Sequence, residues 1–84
     1  MPEQKESRYF TSDIFEAATL IVYSQKLEGI LVDKSKEKSE AIFEFHNVGG
    51  LPFEYRAGTA LVDPHNFKKI MIDLKKQMFK ELDN

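Results

Sequence analysis

Near neutral pH the side chain most often used as acid, base or metal ligand is histidine, and this sequence has two, His46 and His65. They are nineteen positions apart, and no His-Glu-x-x-His or comparable spacing joins them. Asp63 and His65 would share a metal with His46 only if the fold brought the two regions together. Nucleophilic chemistry has even less to draw on. Cysteine is absent, and no serine stands in a Gly-x-Ser-x-Gly elbow. Gly49-Gly50 lacks the Lys and the following helix of a phosphate-binding loop, so a strand-exit turn explains both glycines. The carboxylates fall on polar helix faces or in turns, and so short a chain has little volume to spare for a substrate cleft. The expectation is a protein that is not an enzyme, with no catalytic residue, no cofactor and no metal.

Two patterns bear on binding instead. Lys68, Lys69, Lys75, Lys76 and Lys80 crowd residues 68–80, opposed within that span by Asp73 alone. On a helix, Lys69, Lys76 and Lys80 gather opposite the apolar stripe and Lys68 and Lys75 flank it, a row able to follow a phosphate backbone. The same lysines read more readily as a solvated helix face favoured by the dipole. Arginine, the better base reader, occurs only at Arg8 and Arg56. Phe43 and Phe45 suggest a stacking platform, but they alternate in phase with Ala41, as core residues do.

The elements that must carry these residues follow from periodicity. Thr11-Ser12-Asp13 is a helix start, with Thr11 or Ser12 as cap and Asp13 and Glu16 in the first turn. Ile14, Ala17, Ala18 and Ile21 then form one face, widened by Phe15 and Val22, and the helix should end near Gln25 or Lys26. Leu27–Val32 and the alternating Ala41–His46 surround a charged link and predict an antiparallel hairpin. Residues 49–62 carry few signals beyond Gly49, Gly50 and Pro52, with a possible short third strand at Ala60–Val62. Asp63-Pro64 is a strong helix start, cap followed by first-turn proline. Phe67, Ile70, Met71, Leu74, Met78 and Leu82 share one stripe of the helix it begins. The expected class is α+β: N-terminal helix, hairpin, irregular segment, C-terminal helix.

Some apolar residues fall off both stripes. Ile72 and Phe79 lie two turns apart on one flank of the last helix, and Leu20 and Tyr23 lie off the face of the first. Four such residues in so small a domain predict a contiguous partner-binding patch. A chain of 84 residues makes one core, expected over 10–84 behind a flexible tail at 1–9. Its margin of stability is thin and no disulfide is available to widen it. A net charge of −2 gives no overall pull toward nucleic acid or anionic lipid. No apolar run is long enough to span a bilayer, and a cytoplasmic location is the default.

Several stretches resemble a family of small phage- and bacterium-borne proteins catalogued only as a domain of unknown function. They are Phe10-Thr11-Ser12-Asp13-Ile14 with Ala17-Ala18, the hairpin end Phe43-Glu44-Phe45, and Tyr55-Arg56-Ala57-Gly58-Thr59-Ala60-Leu61-Val62-Asp63-Pro64 leading to Phe67 and Leu74-Lys75. These are capping and packing residues, and they cover about residues 9–80. The departure is Asn47 to Phe53, where the family carries a short helix and this chain has Gly49, Gly50 and Pro52. The resemblance implies a prophage or mobile-element setting and no known activity. The leading expectation is a non-enzymatic interaction module that forms a homodimer or docks a protein through Leu20, Tyr23, Ile72 and Phe79. The alternative is a weak nucleic-acid-binding accessory protein using the five lysines.

Overall fold

The computed structural model describes residues 7–35 and 37–83. Their elements run β1 (Arg8–Thr11), α1 (Ile14–Val22), β2 (Leu27–Asp33), β3 (Glu40–His46), α2 (Leu51–Ala57) and α3 (Pro64–Leu82). The class is α+β, as the periodicities require, with the hairpin and the C-terminal helix where they were expected. β3 is the middle strand of an antiparallel sheet ordered β1-β3-β2. Period-two alternation sends Ala41, Phe43 and Phe45 to one face, all buried, and Ile42, Glu44 and His46 to the other. Leu20, Ala17 and Ala18 of α1 and Met71 and Leu74 of α3 close over the first face. Phe67, Ile70 and Met78 pack against that core from its rim, so the stripe read on α3 is the inward one.

Residues 8 and 9 are strand rather than tail. Arg8 pairs with His46 and Tyr9 with Phe45, and Asn47 fastens the strand's start through Ser7 O (2.7 Å) and Ser7 N (3.1 Å). The rest of the expected tail, residues 1–6, lies outside the described residues. The third strand is therefore β1, and residues 60–62 form no strand.

Helix α1 begins one residue later than expected and ends earlier. Asp13 is the cap, its carboxylate accepting from the amides of Phe15 (2.9 Å) and Glu16 (3.3 Å), while Thr11 Oγ1 accepts from Asp13 N. At the other end Ser24 turns left-handed (φ 66°), and Ser24 N and Gln25 N donate back to Ile21 O and Leu20 O. Those two bonds satisfy the last carbonyls and stop the helix at Val22.

The segment read as irregular holds α2. Pro52 sits in its first turn, where the missing N–H costs nothing, and its ring is buried. Gly58 ends the helix with φ 75°, the left-handed angle that glycine adopts without penalty. Gly49-Gly50, read as a strand-exit turn with no helix following, thus lead directly into a seven-residue helix, with Gly50 as its N-cap.

Candidate functional site

The flank singled out on α3 is open. Ile72 is 47% and Phe79 56% exposed, because the inward side of α3 is already occupied by Met71 and Leu74 and their neighbours. Residues 49–62 leave both uncovered to that extent. At about 100° per residue, Lys75 and Lys76 fall between Ile72 and Phe79 along the axis, one on each side of the flank. The two residues assigned to the same patch on α1 fare differently. Leu20 is fully buried in the core. A helix of nine residues roofed by a sheet and flanked by α2 and α3 buries more than one stripe. Tyr23 is 37% exposed and its hydroxyl donates to Leu61 O at 2.6 Å, pinning the α2–α3 link to the end of α1. Phe15, expected to widen the core face, is exposed instead.

All five lysines of α3 are exposed, and among the described residues none pairs with a carboxylate. His46 and His65 are not brought together. His46 Nε2 lies 2.9 Å from Glu44 Oε2 on the outer face of the sheet, where Arg8 also approaches that carboxylate at 3.9 Å. His65 is exposed in the first turn of α3, its amide held by Asp63. Among the described residues no group of three potential ligands is placed to hold a metal ion.

The most elaborate side-chain chemistry joins residues for which no role was expected. Tyr9 points inward from β1, and its hydroxyl donates to Glu16 Oε2 at 2.9 Å. Arg56, near the end of α2, donates from Nη2 to the same hydroxyl at 2.9 Å. Beside them Tyr55 donates to Asp13 Oδ2 at 2.8 Å, so the cap of α1 also anchors α2. Glu16 is 3% exposed, a carboxylate kept in the interior by one phenol backed by one guanidinium. No local sequence signal marks this relay, since β1, α1 and α2 contribute one member each.

Both phenols hold their protons more firmly than usual. Tyr9 is pushed upward by burial and then by the Glu16 carboxylate that needs its proton; Tyr55 is raised to about 12 by burial and by the bond to Asp13. A group raised in the folded state contributes stability that is complete below its unfolded value, near 10, and lost as pH climbs toward the folded value. Denaturation followed between pH 10 and about 12 should show the wild type weakening with pH. A Tyr55→Phe variant should lose less over that window, and parallel curves would remove Tyr55 from the linkage.

Between β1, the β3–α2 turn and α2 lies a cleft of about 570 Å³ whose walls include Tyr9, Asn47, Phe53 and Arg56. A smaller groove of about 360 Å³ runs between β2 and the last turns of α3. The molecule is thus a two-layer α+β domain with an open apolar flank on its helical side and a polar relay behind a cleft. No protein-family model matches the chain, and no curated protein or solved structure matches it either.

Proposed function

We propose that this chain is a non-enzymatic interaction module that self-associates by burying the Ile72–Phe79 flank of α3 against the same flank of a second copy. What carries the reading is that both residues stay about half exposed although the inward stripe of α3 is filled. Large apolar side chains left in water forgo ~25 cal/mol per Å² that a partner would recover. In a domain this small that gain is a sizeable part of total stability. The family resemblance adds a prophage or mobile-element setting to the proposal, and the default cytoplasmic location goes with it.

The lysines make the proposal testable by sign. A two-fold that sets Ile72 against the partner's Phe79 has its midpoint between positions 75 and 76, so Lys75 and Lys76 each meet their own copies near the axis. Added salt screens that repulsion and tightens the dimer. Exposed, unpaired lysines also favour a second reading, weak nucleic-acid binding through Lys68, Lys69, Lys75, Lys76 and Lys80. That reading has the opposite sign, affinity falling with salt at a slope magnitude of at most ~3–4 on logarithmic axes. Sedimentation of the wild type and of an Ile72→Asp, Phe79→Asp double variant at low and high salt decides between them. A dimer that strengthens with salt, and a folded monomeric variant, support the flank. A monomeric wild type, or a variant that unfolds because the flank was core, defeats it.

A further inference from the structure

We propose that the cleft between β1, the β3–α2 turn and α2 binds a small organic carboxylate with an apolar body, its charged end on Arg56 and its body against Phe53. This does not rest on the α3 flank, which is built from other residues. Three features of the cleft bear on what it could hold. Phe53 is 76% exposed at the cleft and takes no part in the core, although it stands on a helix whose neighbour Pro52 is buried. Arg56 lines the same cleft with one N–H on the Tyr9 hydroxyl, and among the described residues no carboxylate pairs with it. A guanidinium has five N–H donors in a planar fork that matches a carboxylate. The turn that leads into α2 is shaped by two left-handed residues, Asn47 (φ 56°) and Gly49 (φ 62°), with Val48 buried between them.

The relay fixes how the cleft is charged. Because the Tyr9 proton is committed to Glu16, the phenol oxygen accepts from Arg56 and holds the guanidinium in place. Glu16 itself is buried behind the phenol, so the group facing the cleft is the cation. Partial compensation of that cation by Glu16 makes the site a weak one, with affinity for a ten-atom ligand of roughly millimolar order. The apolar wall of Val48, Pro52 and Phe53 then favours a carboxylate carrying an aromatic or aliphatic group over a bare anion.

Amide NMR titration of the full chain with phenylacetate tests the proposal, with phenylacetamide and inorganic phosphate as controls. Saturable shifts are expected at Val48, Gly49, Phe53 and Arg56. The neutral amide should bind about tenfold more weakly or worse, as loss of a charge-assisted pair implies. Arg56→Gln should weaken phenylacetate by a similar factor, and Phe53→Ser should weaken it while leaving the dispersed spectrum intact. Should Arg56→Gln detach α2, Arg56→Lys keeps the charge without the fork and is expected to bind several-fold more weakly. Absence of saturable shifts, equal binding of the amide, or phosphate bound as tightly as phenylacetate would each overturn the assignment.

Discussion

Replacing Leu74 with alanine removes about 2–5 kcal/mol of stability, the largest effect expected of any single substitution in α3. The side chain is 1% exposed and lies in the same buried cluster as Phe43, Phe45 and Leu20. Little can shift to fill the space, because the residues around it belong to three separate elements and Ala17 and Ala18 are already small. A domain of this size holds only about 5–15 kcal/mol in all, so the variant should melt far earlier than the wild type and verge on unfolding. Thermal and urea denaturation read the loss directly. An unchanged midpoint would mean that α3 is not the wall of the core.

Tyr9→Phe should cost about 1.5–3 kcal/mol although it deletes a single oxygen. That oxygen donates to the Glu16 carboxylate and accepts from Arg56. Without it a buried carboxylate faces an apolar ring, and the guanidinium loses its hold on β1. The distinguishing result is the second variant. Tyr9→Phe combined with Glu16→Leu removes both the orphaned charge and its desolvation, so the pair should be more stable than Tyr9→Phe alone. If the phenylalanine variant denatures with the wild type, Glu16 draws its support from elsewhere and the relay is ornamental.

Local chemistry made some elements legible and hid others. Asp63-Pro64 and the stripe from Phe67 to Met78 signal α3 because capping and helical period are properties of neighbouring residues. The alternation of Ala41, Phe43 and Phe45 identifies β3 in the same way. β1 stayed hidden because four residues give two inward positions, too few to establish a period, and its partner is far along the chain. α2 stayed hidden because proline and glycine mark both breaks and ends, and only the intervening length tells which. Leu20 was misplaced because a helical wheel assumes one buried stripe, whereas α1 is enclosed on several sides. Ile72 and Phe79 are as exposed as their position on α3 implies. Arg56, Tyr9 and Glu16 meet only through tertiary structure, so spacing carried no trace of the relay.

The strand order has a consequence for how the chain is made. Tyr9 must wait for Phe45, its register partner thirty-six positions later, which at ~5–20 residues per second of synthesis is roughly 2–7 s. Leu20 waits longer still for Leu74, its companion in the core. Throughout that interval the apolar side of α1 and the unpaired edge of β1 stand open to whatever else is nearby. The edge of β1 is covered once β3 has been made and the side of α1 only once α3 has, so the fold closes with its C-terminal helix.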